Sequence, residues 1–510
     1  MKPTPSPSVM KPHPLAQEAH AAASAFAACA LAADAGRAGE KSDTSAPASH
    51  ASGPTDAGGQ GRGARDPRPT AAGHHPVEPD AQPGSVPEAL PQGISSSARR
   101  LPDVDGRPFV VDSAAGAWIT DAEGRRHLDF AMAMGATVLG HAHPAVVEAC
   151  TRALQRGAMP GFTHAGEAAA AQALVRHAGP LVHATFVSTG SEAVHLACRI
   201  ARRATARPVV AKIAAGYDGW YDDVALGWTG SAEADLSGAR PLAHGVTLVR
   251  WNDLSDLEAL FAERDDIAAV LVEPVLANAG CLMPQPGYLQ GLQQLCRRHG
   301  ALVIADEVLT GMRLHPGPSS LPMDLEPDLV TLGKAIGSGV PVAAVLGTAQ
   351  AFAPVVDGRV ARAGTYHGNP LVTAAVLATC EVLESSDHAA LLQRGERLAA
   401  GVREAFGRAG IDVSTSGLGS VFSLWFAGRA PTRYEEAKAL LQPERSLALH
   451  MALRREGVLT MPSGWGRLFL SFAHEDADVD FALAAFGRAA QALAPLRCAP
   501  AFPGTVVPGR

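Results

Sequence analysis

Between Ala184 and Gly347 the chain repeats one pattern, a short apolar run followed by a longer stretch with helical spacing. Ala184-Thr-Phe-Val-Ser188, Pro208-Val-Val-Ala-Lys-Ile213, Ile267-Ala-Ala-Val-Leu-Val-Glu273, Ala301 to Ala305, Leu329 to Leu332 and Val342 to Gly347 read as strands. Glu192 to Arg203 and Tyr288 to Arg298 read as helices, the first with Leu196, Ala197 and Ile200 on one face. Short apolar strands separated by helices predict an α/β fold with a mostly parallel sheet covered on both faces. Ligands of such sheets sit beyond the strand carboxyl ends. Ser188, Asp306 and the loop leading to Lys334 all fall there.

Size and charge narrow the classes. At 510 residues, 47% hydrophobic and 18% charged, the chain suits a globular body of more than one domain. A net charge of −7 and a pI near 6.3 argue against nucleic-acid or anionic-membrane partners, which are held by clustered Lys and Arg. No run approaches the roughly 18 apolar residues of a membrane span. Cysteines at 29, 150, 198, 281, 296, 380 and 498 are scattered, with no CxxC pair. Neither a metal site nor a disulfide framework is indicated, and a reducing cytoplasm is the expected location.

Residues 1–88 differ from the rest. Pro, Ala, Gly, Ser, Asp and His dominate, so the segment has too little apolar content to offset its chain entropy and is expected to be a disordered tail. The Ala21 to Ala33 stretch reads as a short helix or the apolar part of a secretory leader, but preceding prolines and weakly apolar alanines favour disorder. The ordered body begins near Pro91. Trp118-Ile119 and Leu128 to Phe130, separated by a turn, predict a hairpin. His141 and His143 form a pair without a third ligand nearby, and Pro144 opens an apolar helix after them, so a structural turn is favoured over metal.

The chemistry sits on two charges. Lysine usually belongs in water, so Lys334, delivered from an apolar strand onto the glycine-flexed turn Gly333-Lys-Ala-Ile-Gly337, reads as a reactive amine. Asp306 ends the preceding strand in the same way. An amine to hold an aldehyde and a carboxylate to keep a ring nitrogen protonated are what an electron-withdrawing pyridine cofactor needs. Thr189-Gly190-Ser191, between a strand and a helix, offers free N–H groups and hydroxyls to a phosphate. Tyr217, in the glycine-flanked Ala215-Gly-Tyr-Asp-Gly219, is placed to cover the cofactor face.

From Pro91 to His474 the chain resembles class-III pyridoxal-phosphate aminotransferases, and most closely the glutamate-1-semialdehyde aminomutase branch. The resemblance rests on Leu139-Gly-His-Ala-His-Pro144, Ser188-Thr-Gly-Ser-Glu-Ala193, Glu273-Pro-Val-Leu-Ala-Asn278, Asp306-Glu-Val-Leu-Thr-Gly-Met-Arg313, Thr331-Leu-Gly-Lys334, Gly364-Thr-Tyr-His-Gly-Asn-Pro370 and Ser471-Phe-Ala-His474. It implies pyridoxal 5'-phosphate and a fold-type-I homodimer with active sites at the subunit interface. It further implies a large domain whose mostly parallel, seven-stranded type of sheet lies between helices, and a smaller α+β domain built from both ends of the ordered chain. The matching boundaries are 89–150 for the mouth segment and first part of the small domain, 151–375 for the cofactor domain, 376–498 for the rest of the small domain and 499–510 for a flexible tail. By motif, Lys334 would form the internal aldimine and Asp306 would contact the ring nitrogen. Tyr217, Asn278 and Val308 would line the ring, Gly190 and Ser191 would receive the phosphate, and Thr365 would reach the partner's phosphate.

The same resemblance places Arg99, beside Ser96, on a substrate carboxylate. Three departures accompany it: Met134 stands where that branch has a tryptophan, Gly466 where it has a glutamate, and Asp218 where it has a histidine. The expected activity is therefore transfer of an amino group between a carboxylated amine or amino acid and an oxo acceptor. Intramolecular amino transfer, as in an aminomutase, is the alternative.

Overall fold

A computed structural model describes residues 90–494 apart from 97, 98, 237 and 239. The two expected tails lie largely outside the described residues. The largest sheet contains β4 (His183–Val187), β5 (Val209–Ile213), β6 (Leu242–Ala243), β7 (Val246–Val249), β8 (Ile267–Val272), β9 (Leu302–Glu307), β10 (Leu329–Leu332) and β11 (Ala343–Gly347). Their order is β4-β11-β10-β9-β8-β5-β7-β6. Strands β7, β5, β8, β9 and β10 are mutually parallel, β11 runs antiparallel to both neighbours, and β6 forms an antiparallel edge. All six residues of β8 are buried, as a strand covered on both faces requires, and each Val, Leu or Ile so buried contributes roughly 1.5–3 kcal/mol.

Two local details differ from the sequence reading. The helix after β4 spans Gly190–Thr205, so Gly190 and Ser191 are its first residues rather than a preceding turn. The cause is a capping box: Thr189 Oγ1 accepts the Glu192 N–H, while the Glu192 carboxylate accepts the N–H groups of Thr189 and Ser188. Strand β7 was not anticipated; it is four residues long, and its burial comes from pairing with β5.

The smaller part joins both ends of the ordered chain. Strands β1 (Val111–Ala115), β2 (Trp118–Asp121) and β3 (Arg126–Asp129) form a meander, to which β14 (Val458–Leu459) adds in parallel beside β3. The predicted β2–β3 hairpin is present, its turn closed by Asp121 Oδ1, which accepts the N–H groups of Glu123 and Arg125. A second sheet, antiparallel throughout, contains β12 (Ser414–Leu418), β13 (Val421–Trp425) and β15 (Arg467–Phe469).

One buried arginine ties these parts together. Arg313 donates to Leu309 O, Gly135 O and Leu470 O at 3.1, 2.6 and 3.3 Å, linking the loop after β9 to the loop after β3 and the end of β15. Gly135 must be glycine, because it has φ +84° and a Cβ there would come within 2.7 Å of the Phe469 ring. Just before it, Met132, Ala133 and Met134 all adopt left-handed backbone angles. Asp129 holds that turn by accepting the N–H groups of Ala131 and Met132. It also binds His141 Nε2 at 2.8 Å, so His141 serves the turn.

Candidate active site

At the carboxyl ends of β5, β8, β9 and β10 lies a cavity of about 350 Å³. Lys334, Asp306, Tyr217, Asn278, Val308, Gly190 and Ser191 all line it. Sequence reasoning had singled out five of these from their own residues and Asn278 and Val308 through the family resemblance, and the fold brings all seven to one cavity.

Lys334 follows β10 after Gly333 and opens a short 3-10 turn, Lys334–Gly337. Its φ is +42°, a conformation that costs a non-glycine residue about 1–2 kcal/mol and that here turns the side chain off the strand end. Burial, followed by the positive charge of Arg467, brings its amine down to about 8, closer to the neutral form a nucleophile needs.

Asp306 is 5% exposed. Its Oδ1 accepts the Val308 N–H at 3.0 Å and the Thr331 hydroxyl at 2.8 Å, which fixes the carboxyl plane. Burial, and then the facing carboxyls of Asp218 and Glu273, push it well above the usual carboxylate range. A buried acid crowded by two others is a place where a protonated ring nitrogen is favourable, so the donor set fits a pyridinium.

Glu273 fixes the loop that carries Tyr217. Its two oxygens accept the N–H groups of Tyr217 and Ala277, each at 3.1 Å, and burial raises it to about 7. The Tyr217 ring is 37% exposed and lies 5.4 Å from the Trp228 ring. Beneath it is a pair that sequence reasoning missed: Lys212, fully buried within β5, sits 3.2 Å from Asp218 and donates to Gly216 O at 2.8 Å. A lysine inside an otherwise apolar strand was the available signal, and Asp218 was noted only as a departure from histidine.

The anion end is built from backbone. With Glu192 and Thr189 occupied by capping, the N–H groups of Gly190 and Ser191 have no protein acceptor among the described residues. A Cβ on Gly190 would come 2.8 Å from Val308 Cγ1, so only glycine lets the helix start this close to the end of β9. Free N–H groups at a helix start, with Ser191 beside them, suit a phosphate.

The remaining expected residues do not line this cavity. Arg99 and Ser96 are exposed, Thr365 lies on an exposed stretch, and Met134 is partly buried in the left-handed turn. Ala136, Leu309 and the segment Gly339–Val342 do line it, without having been singled out.

A strand-end lysine, a buried aspartate beneath it and a helix start facing the same cavity define a fold-type-I pyridoxal-phosphate enzyme. The chain belongs to the class-III aminotransferase family, whose model matches residues 102–489. It is 39% identical over 412 residues to a glutamate-1-semialdehyde 2,1-aminomutase of Chloroflexus aurantiacus, covering 78% of this chain and 93% of that protein. Its fold is similar to a transaminase solved with PLP bound (TM-score 0.72, 30% identity, 81% of this chain and 97% of that one). It is also similar to a glutamate-1-semialdehyde aminomutase from Pseudomonas aeruginosa PAO1 (TM-score 0.68, 28% identity, 76% and 88%). The enzyme depends on pyridoxal 5'-phosphate, as its family does.

Proposed function

We propose that this enzyme moves an amino group intermolecularly, from a carboxylated amine or amino acid to an oxo acceptor. The observation that carries the reading is a depressed amine, Lys334, lining one cavity with the buried carboxyl of Asp306. When bound, the cofactor supplies an aldehyde to join the amine and a ring that absorbs negative charge. With the cofactor bound, Lys334 would be the residue that holds its aldehyde, and its amine, near neutral, would be able to move the proton at the substrate carbon once an incoming amine has taken its place. Asp306 would hold the ring nitrogen in its protonated form, the form that best absorbs negative charge. Tyr217 covers the ring, Asn278 and Val308 bound it, and the N–H groups of Gly190 and Ser191 take the phosphate. Arg99 closes on the substrate carboxylate from the mouth, with Ser96 beside it and Met134 leaving room for the side chain.

A homodimer completes the site, with Thr365 reaching the partner's phosphate. Large exposed rings support this: Trp220 beside the Tyr217 loop is 65% exposed, Tyr366 beside Thr365 is 66%, and Phe162 is 85%. A cytoplasmic location is supported by five cysteines that are free among the described residues. No helix among the described residues is long and apolar enough to cross a membrane.

The aminomutase reading has its own support in the 39% identity to an enzyme of that name. Met134 and Gly466, which replace a tryptophan and a glutamate of that branch, favour release of the aminated intermediate instead. A crossover experiment with nitrogen-labelled donor and unlabelled acceptor decides. Label in the acceptor, with free oxo acid released, is the expected result; label confined to the original carbon skeleton establishes the aminomutase.

A further inference from the structure

Away from the active site, a cavity of about 670 Å³ opens at the amino-terminal ends of β3 and β14. Its walls come from the turn Val104–Arg107, the start of β3, the end of the helix Pro443–Arg455, and Phe481 of the helix Asp476–Leu493. It shares no lining residue with the cavity around Lys334. In a chain whose overall charge is −7, Arg107, Arg125, Arg126, Arg454 and Arg455 line this one, against the acids Asp105 and Glu456 alone.

Ion pairs account for three of those arginines. Arg455 pairs with Asp105 at 2.7 Å, Arg107 with Glu123 at 3.1 Å and Arg125 with Asp121 at 3.0 Å, while Glu456 is taken by Arg488 at 2.7 Å. Arg126 and Arg454 have no ion pair among the described residues. Each guanidinium stands instead over an aromatic ring, Arg126 at 4.6 Å from the centre of Trp118 and Arg454 at 4.8 Å from that of Phe109. Such a contact holds the fork in place without neutralising it. Arg454 is 5% exposed and donates to Pro102 O, and Asp103 and Asp121 act on its charge only from beyond ion-pair distance. The same Phe109 ring contacts His127, whose Nε2 bonds Asp121 and whose Nδ1 is buried with no partner. The field at a helix C-terminus accounts for cations at Arg454 and Arg455, but not for Arg126, which arrives from β3. Two unpaired like charges brought to one cavity repel each other, and an anion between them relieves that cost. Phe481 narrows the choice of anion: 38% exposed and braced by Trp118 at 5.5 Å, it offers a flat apolar face to a ligand's body. The volume, against about 350 Å³ around Lys334, also leaves room for far more than an inorganic phosphate.

We propose that this cavity binds a small organic diphosphate with a flat ring, the form of a nucleoside diphosphate, its phosphates on Arg126 and Arg454 and its ring on Phe481. Guanidinium forks match phosphate oxygens two at a time. The site stands apart from the amino-transfer chemistry and does not depend on that reading.

The test uses the full-length holoenzyme, saturated with pyridoxal 5'-phosphate so that the phosphate end of the active site is occupied. Calorimetry follows binding of ADP, pyrophosphate, adenosine and citrate. ADP is expected to bind once per chain with a Kd below about 1 mM and to weaken as salt is raised. Pyrophosphate, which cannot stack, should bind about fivefold or more weakly, and adenosine and citrate not measurably. Arg126→Gln, at an exposed position, should weaken ADP about tenfold or more, the loss of one charged hydrogen bond, and leave the cofactor absorbance unchanged. Arg454→Gln should weaken it at least as much, and Phe481→Ala should bring ADP down to the affinity of pyrophosphate. A wild type that fails to bind ADP, or equal ADP affinity in wild type and Arg126→Gln, overturns the proposal. Citrate binding as tightly as ADP, or ADP affinity untouched by Phe481→Ala, overturns it as well, because the cavity then sorts ligands by charge alone. Should Arg454→Gln fail to fold, Arg126→Gln decides by itself.

Discussion

The strand ends of the large sheet and the inner face of the β12–β13–β15 sheet both act on Lys334, yet they treat buried polarity in opposite ways. At the strand ends each acid is held: Glu273 by two backbone N–H groups, Glu307 by the N–H groups of Ser319 and Ser320, Asp306 by Val308 and Thr331. On the other face Ser416, Ser423 and Arg467 Nη1 hold nothing. At the strand ends the carboxyl acceptors are held in fixed positions in advance, and the open groups are the N–H donors of Gly190 and Ser191.

The contrast breaks most severely at Lys334. Lys334→Ala is expected to cut turnover about a thousandfold or more while the protein stays folded, since alanine relieves a buried amine. Steady-state rates and a thermal melt check this, and borohydride reduction followed by peptide mapping must find the cofactor on Lys334 in the wild type. Asp306→Asn should cost about a hundredfold in turnover and weaken cofactor retention. The same change should make the cofactor-free protein more stable above neutral pH, because Asp218 and Glu273 lose a repelling neighbour.

A pH series separates the two faces further. Glu273 and Glu307 are each raised by burial from 4.5 to about 7, so between those values the folded protein holds more protons than the unfolded chain. Stability must fall as pH rises through that window, by a few kcal/mol on the order of the two shifts together. Lys334, lowered from 10.5 to about 8, works the other way: the folded form holds fewer protons there, and stability is regained as pH climbs from 8 to 10.5. Urea midpoints of cofactor-free protein follow both limbs, and Glu307→Gln should flatten the acidic one. The smallest effect is expected at Gly466→Glu, which should cost about 1–3 kcal/mol by crowding Met461 O and Ser463 O and confer no aminomutase activity. A thermal melt with the nitrogen crossover assay would show otherwise.

What the sequence made legible follows the same division. Strand β8 is an uninterrupted apolar run, β9 is apolar up to Asp306, and Asp306 and Lys334 stand out because charge at or just past the end of such a run, here β9 and β10, is costly. The helix start at Gly190 was also written in Thr189 and Glu192, a capping signal that places the helix two residues earlier than its apolar spacing does. Strand β7 stayed hidden because its burial depends on pairing with β5, whereas the Lys212–Asp218 pair lies within one segment and was missed although a lysine inside an apolar strand signalled it. Arg467 is one arginine among many until a sheet register sets it beside Ser423.

The parallel pairing of β14 with β3 sets a schedule for birth on the ribosome. Strand β3 ends at Asp129, and the strand that completes its sheet is made roughly 330 residues later, about 20 to 60 s at ordinary elongation rates. Through that interval the amino-terminal meander offers an open hydrogen-bonding margin while the entire large sheet is being laid down. Slow translation in the last quarter of the message should therefore lower the yield of native enzyme more than slow translation in the middle, where β7 to β11 each find a neighbouring strand already made.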